Sequence, residues 1–425
     1  MNKQSVINDR SWCRCASLAL LMVITASQIV RAEEPDLPRS VPEAVRMERD
    51  NALPRTDFYN EGKRVLTSKP GDLLKKAVFN GYELPEGATA VRILYHSLDA
   101  DNRDVATSGV VLVPAGKAPA DGWPVIAWAH GTSGVAQQCA PSLQKDVYYG
   151  EEGLMPMVRA GFAVVATDYH GLGTHGLHQY INKLAQANDV IFSVIAARKA
   201  VASLGKKWVV DGHSQGGLAA WGVAEAETAL NDPDYLGAVS VAGALQLQQA
   251  LTEMGSGHAG AASFYLPFMA YAASASGSAG TRFNPAGILM GPALKKYADV
   301  IRNGCWFYAY ASFLDSQPEQ LLQANWSSSQ ELQHLFAVDQ LAELPVSKPL
   351  LVIGGEADHS VPFPMLKAVA LRACQKGVQL TFRSYPGLDH DPVMSDSVFD
   401  QLAWIRNRFA GTPAINSCPE LEAGQ

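Results

Sequence analysis

VVDGHSQGGLAAWG (Val209–Gly222) sets a small polar residue, Ser214, between glycines at the end of an apolar run. The strand-like KWVVDG (Lys207–Gly212) precedes it and a helix-forming LAAWGVAEAETAL follows it. A chain that passes from strand to helix within three residues forces the central residue into a strained backbone. Side chains two before and two after would then collide, so glycine is needed at both positions. Gly212 and Gly216 stand there. A plain surface loop is the competing reading, but the strand before and the helix after weigh against it. Ser214 is therefore read as a nucleophile held out from the end of a sheet strand.

A serine hydroxyl is a poor nucleophile without a base, and the base needs an acid to orient it. On a strand–turn–helix scaffold the order along the chain is serine, acid, histidine, each on a loop after a strand. VIGGEADHSVPF (Val352–Phe363) supplies the acid, with Asp358 preferred over Glu356 because it lies deeper in the loop, before the Val361-Pro362 turn. SYPGLDHDPV (Ser384–Val393) supplies the base, His390. Its neighbours Asp389 and Asp391 are read as solvated or structural, since adjacent side chains point apart. Negative charge developing on the substrate also needs donors. One is the N–H of Gln215; the second comes from HGTSG (His130–Gly134), with Thr132 preferred and Gly131 next. His175 and His178 in THGLH lack a third ligand or helical spacing, so no metal site is expected.

The rest of the chain is consistent with a folded enzyme-sized domain. It has 425 residues, 48% of them hydrophobic and 18% charged, and a net charge of −7. Without a basic patch interleaved with aromatics, nucleic acid is excluded as an expected partner. Lys3, Arg10 and Arg14 precede the 15-residue apolar stretch Ala16–Val30, and small residues end at Ala32. That is too short for a stable membrane span and reads as a cleaved signal peptide over residues 1–32. Its loss leaves 30 basic and 40 acidic side chains, a net charge of −10. It also leaves Cys139, Cys305, Cys374 and Cys418. An even count in an exported chain implies two disulfides, with three connectivities open.

Residues 33–88 form a proline- and charge-rich lead-in with some helical character. Ala90–Leu98 and Val105–Pro114 read as a hairpin. Apolar strands then alternate with helices: Pro124–Ala129, Phe162–Thr167, Lys207–Gly212, Leu236–Ala244, Pro349–Gly355 and Val378–Tyr385. Leu184, Ile191, Ile195 and Ala202 suggest a helix ended by Gly205, and Asp396–Phe409 closes the domain as an amphipathic segment. The fold class is α/β, a mostly parallel sheet with helices on both faces. Residues 246–343 break the alternation and read as a large helical cap inserted into a core of 33–245 and 344–425.

AHGT, DYHGLGT, GHSQGG, GEADHSVP and GLDHDP occur in that order, and together they resemble the α/β-hydrolase superfamily. More narrowly, ATDYHGLGT (Ala166–Thr174) before GHSQGG is similar to the secretory lipase family, typified by the Candida lipases and lipase A of Candida antarctica. The resemblance implies a carboxylic-ester hydrolase with Ser214, Asp358 and His390 as its triad. It also implies the pairs Cys139–Cys305 and Cys374–Cys418, and an ester or lipid substrate bound under the cap. Such chemistry requires no cofactor, and the export signal implies a secreted or periplasmic enzyme. A neutral histidine base implies activity that falls as pH drops through about 6–7. A short-chain, aryl or polyester esterase, a serine peptidase and a non-catalytic binding module are the alternatives.

Overall fold

The computed structural model describes residues 37–62, 67–243, 246–255, 263–276 and 283–424. The expected signal peptide, residues 1–32, lies outside them. Helix α1 (Val41–Asn51) opens the described chain, its N-terminus capped by the Ser40 hydroxyl with Pro42 in the first turn. Strands β1 (Leu73–Val78), β2 (Thr89–Leu98) and β3 (Asp104–Val113) follow, then β4 (Trp123–Ala129). Next come α2 (Met155–Arg159), β5 (Ala163–Thr167), α3 (Lys183–Ala200), β6 (Leu204–His213), α4 (Gln215–Leu230) and β7 (Tyr235–Val241). Among the described residues, five α-helices separate β7 from β8 (Leu350–Gly355): α5 (Leu247–Gly255), α6 (Leu266–Ser276), α7 (Gly291–Asn303), α8 (Trp306–Ser312) and α9 (Gln330–Val338). The chain ends with α10 (Phe363–Gln375), β9 (Leu380–Tyr385), α11 (Pro392–Asp396), α12 (Val398–Phe409) and α13 (Cys418–Ala423).

The nine strands form one sheet in the order β1-β2-β3-β5-β4-β6-β7-β8-β9. The first three are antiparallel to their neighbours, and β5 through β9 are parallel. Because β4 lies between β5 and β6, the chain leaves it to one side and then returns to the other. That switch opens a crevice at the carboxyl ends of the strands, where α/β sheets bind their ligands. Alternate residues of each strand feed two layers. Val125, Ala127, Trp208 and Val210 pack against α3, α4, α10 and α13. Ile126, Trp128, Val209 and Val239 pack against α2, α11 and α12. The helices between β7 and β8 build an apolar cluster of their own, joined by Val135, Tyr180 and Ile181.

Two local expectations differ from the structure. The lead-in contains strand β1, because Leu73–Val78 is recruited by pairing with β2 while Lys75 and Lys76 mark it as a protected edge. Helix α3 ends at Ala200 and Gly205 belongs to β6. The expected face of α3 holds in part: Ile191 is buried with Ala187, Val190, Val194 and Ala197, whereas Leu184 and Ile195 are exposed. Alanines let α3 lie close to both the sheet and α4, so Leu184 and Ile195 are left on the outer side while Val190, Ile191 and Val194 face in.

Both disulfides follow the pairing implied by the resemblance. Cys139–Cys305 ties the loop region after β4 to the start of α8, and Cys374–Cys418 ties α10 to α13. Next to the first, Trp306 N–H donates to Ser133 at 3.0 Å, and Glu48 of α1 accepts from Tyr308 N–H at 2.7 Å. The base of the inserted helices is thus anchored to the segment that leads away from β4.

Candidate active site

Ser214 adopts φ 57° and ψ −119°, a left-handed conformation that costs a non-glycine residue about 1–3 kcal/mol. Its neighbours show why glycine is required. A Cβ on Gly212 would lie 2.3 Å from the Gly216 oxygen, and one on Gly216 would lie 1.8 Å from the Ala129 oxygen. The turn therefore lies directly against the end of β4. Ser214 Oγ is 2.8 Å from Nε2 of His390, which follows β9. Nδ1 of His390 donates to Asp358 Oδ2 at 2.8 Å, and Asp358 follows β8. The other Asp358 oxygen accepts from Ser360 and Val361 N–H at 2.8 and 2.7 Å, which holds the carboxylate in place.

The three groups are buried to different degrees: His390 and Asp358 are enclosed, while Ser214 is half-buried. Burial alone would depress the His390 pKa. The charge and hydrogen bond of Asp358, with Asp391 and Asp389 adding, outweigh it and raise the ring to about 9. Glu356 does not reach the histidine; its carboxylate accepts from Ser384 Oγ at 2.8 Å. Asp389 accepts from the N–H groups of His359 and His390 and pairs with the His359 ring.

The HGTSG loop faces Ser214 across the crevice. Thr132 has its carbonyl held by Tyr148 Oη at 2.5 Å and its hydroxyl by Tyr180 Oη at 2.7 Å. The N–H is the polar group these contacts leave available. Gly131 is fixed by space, since a Cβ there would lie 2.3 Å from Tyr149 Oη. Gln215 is the first residue of α4, so its N–H has no carbonyl in its own helix to donate to. Backbone N–H donors of this kind can stabilise an oxyanion where they meet one.

Several residues that shape the site carry no sequence signal of their own. Val147, Tyr148 and Tyr149 are consecutive left-handed residues, with φ of 59°, 52° and 65°. This kink turns two tyrosines onto the HGTSG loop and the serine turn. Tyr149 Oη lies 3.0 Å from Nδ1 of His213, whose Nε2 meets the His390 carbonyl at 2.9 Å. Buried His178, whose neighbour His175 sits at the surface with Glu61, contacts the Gln215 side chain at 3.1 Å. Among the described residues His213, His390 and Asp391 bring potential ligand atoms within 4.8 Å of one another. Both histidines already have hydrogen-bond partners there, so this cluster is part of the serine site rather than a separate centre.

Over the site lies a cavity of about 30 Å³, room for a water or two. Thr132, Tyr180, Ser214 and Gln215 line it from the sheet side, and Tyr265 and Met269 from the inserted helices.

The family model for secretory lipases matches residues 142–417. Among solved structures, Candida antarctica lipase A in its closed state superposes with a TM-score of 0.70 at 17% identity, covering 86% of this chain and 89% of that one. The rice cell wall degrading esterase of Xanthomonas oryzae gives 0.65 at 19% identity, covering 81% and 99%. A hydrolase-like protein of Legionella pneumophila gives 0.68 at 16%, covering 81% and 100%. At these identities the structural likeness establishes the α/β-hydrolase fold. No curated protein matches the sequence significantly.

Proposed function

The chain belongs to the secretory lipase family, and from that premise we propose that it is a secreted serine carboxylic-ester hydrolase of lipase type. The observation that carries this reading is the continuous relay from Ser214 through His390 to Asp358, 2.8 Å at each step. In the proposed reaction His390 Nε2 takes the Ser214 proton as Oγ attacks the ester carbonyl. The N–H groups of Gln215 and Thr132, with Gly131 adjoining, stabilise the oxyanion. His390 then gives its proton to the departing alcohol, and a water activated by the same nitrogen hydrolyses the acyl-enzyme. Asp358 holds the imidazole in orientation and stabilises the imidazolium between the two steps.

Residues 246–343 are proposed as a cap over this site, with the core in 33–245 and 344–425. The two disulfides fit an oxidising, extracellular setting, and residues 1–32 are proposed as the signal that delivers the chain there. A cavity of about 30 Å³ cannot hold an acyl chain, so substrate entry displaces Tyr265 or Met269. The same small cavity favours a second reading, an esterase for short or polymeric substrates.

Hydrolysis of p-nitrophenyl esters from acetyl to palmitoyl, with Ser214→Ala in parallel, separates these readings. Serine-dependent activity peaking at long chains supports the lipase. A peak at acetyl or butyryl supports the esterase. Ester activity that survives Ser214→Ala, or none on any ester, overturns both.

A further inference from the structure

Gln215 is almost fully buried beside Ser214, at 4% exposure, and is one of the residues around the cavity over the serine. The amide is held from one end. His178 Nδ1–H donates to the His170 carbonyl at 3.0 Å, so its Nε2 carries a lone pair and must accept. The Gln215 NH2 group donates to that nitrogen at 3.1 Å, which excludes the flipped amide. Burial pushes the His178 ring down to about 3, so this acceptor persists at any working pH. The His178 backbone N–H donates to Tyr271 Oη of α6 at 3.1 Å.

The other end of the amide is free. Gln215 Oε1 is enclosed, yet it accepts no hydrogen bond from any described residue. The Thr132 and Tyr180 hydroxyls are already engaged with each other. Much of the remaining wall is apolar, with Leu218, Met269 and Val361. A carbonyl oxygen kept unpaired in such a wall is costly unless a bound molecule supplies the donor.

We propose that Gln215 is a specificity-determining residue, its side-chain oxygen accepting from a hydroxyl that the substrate carries close to the scissile carbonyl. The preferred substrates are then hydroxylated esters. The hydroxyl belongs either to the alcohol portion, as in a glycol ester or partial glyceride, or to the acyl portion, as in a hydroxyacyl ester. A substrate without it leaves the oxygen unpaired. This inference rests on the serine-hydrolase reading above.

The test uses isosteric ester pairs and the full mature chain. 2-Hydroxyethyl butyrate against propyl butyrate probes the alcohol side. Propyl 3-hydroxybutyrate against propyl 3-methylbutyrate probes the acyl side. The kcat/KM ratio of each pair is measured in the wild type, Gln215→Met and Gln215→Leu, with fluorophosphonate labelling of Ser214 as the independent readout of an intact serine site. The expected result is a ratio for one pair that falls by roughly 10- to 100-fold in a variant that still labels; the pair that responds identifies the side. Unchanged ratios for both pairs in a labelling variant overturn the proposal. If neither variant labels, the wild type decides: no preference for the hydroxylated member of either pair overturns it, and a tenfold preference in one supports it. A wild type that does not label at all overturns the serine-hydrolase reading itself.

Discussion

His213 donates from Nε2 to the backbone carbonyl of His390 at 2.9 Å, so the residue before Ser214 holds the loop that carries His390. The ring keeps one orientation because Nδ1 then accepts from Tyr149 Oη at 3.0 Å. Burial and the nearby His390 push its pKa far below the ordinary value, so it stays neutral and does not compete for the Ser214 proton.

Replacing this anchor is expected to loosen His390 without touching substrate. His213→Leu leaves a buried carbonyl unpaired, which costs about 1–3 kcal/mol of stability. Steady-state kinetics on a p-nitrophenyl ester should show kcat falling by roughly tenfold or more with KM little changed. An unchanged kcat would mean that the His390 loop is held by other contacts.

The acid limb of kcat/KM is expected at higher pH than the sequence alone suggested. His390, the proposed base, works only as neutral imidazole, and its surroundings raise its pKa from 6.5 to about 9. The limb midpoint in the free enzyme should therefore lie nearer 9 than 6.5. Asp391→Asn removes one contributing charge and should move the limb down. The linkage has the same sign: the contact's contribution to stability is complete below the unfolded-state value and fades as pH rises through about 9. A pH–rate profile with its midpoint at or below 6.5 would contradict this.

Asp358 and Glu356 lie two residues apart, yet one contacts the His390 ring and the other contacts Ser384. Asp358→Asn is expected to lower kcat by about four orders of magnitude, because the amide favours the wrong imidazole tautomer. Glu356→Gln should cost less than about threefold, since it loses only a peripheral hydrogen bond. Comparable losses in the two variants would reopen the assignment of the acid.

Tyr148 Oη supports the Thr132 carbonyl across 16 residues of chain. Tyr148→Phe keeps the ring and deletes that bond, so the Thr132 N–H, the proposed oxyanion donor, is held less firmly. The expectation is a loss of roughly tenfold in kcat, about 1.4 kcal/mol, with KM nearly constant. A change confined to KM would assign the tyrosine to substrate binding instead.

Cys139 and Cys305 close a loop with a sequence separation of 166, joining the region after β4 to the inserted helices. Cys139→Ser with Cys305→Ser should destabilise by about 2–5 kcal/mol in thermal or denaturant unfolding. An unfolding midpoint equal to that of the wild type would show that Glu48 and the Ser133–Trp306 contact already secure the inserted helices.

Much of the fold was legible because its demands are local. A buried strand needs a short apolar run, so β4 through β9 could be read from contiguous residues. The serine turn needs glycine at Gly212 and Gly216 for steric reasons that involve only a few residues. Strand β1 was missed because its apolar pattern is weak and its conformation depends on pairing with β2. The inner face of α3 was read only in part, because close packing selected Ala187 and Ala197 beside Ile191 and left Leu184 and Ile195 outside.

The sequence by itself determined the strand–turn–helix at Ser214, the parallel sheet around it, and the serine, acid, histidine order along the chain. These follow from backbone sterics and the burial period of contiguous segments. Tertiary structure alone decided how closely Asp358, already preferred over Glu356 in the sequence, meets His390, that a left-handed kink turns Tyr148 and Tyr149 onto the crevice, and that His178 leaves the side-chain oxygen of Gln215 free. Each of those depends on a distance between groups far apart in the chain, and hydrogen bonds of 2.5–3.1 Å form only where the packed strands and loops bring their ends together.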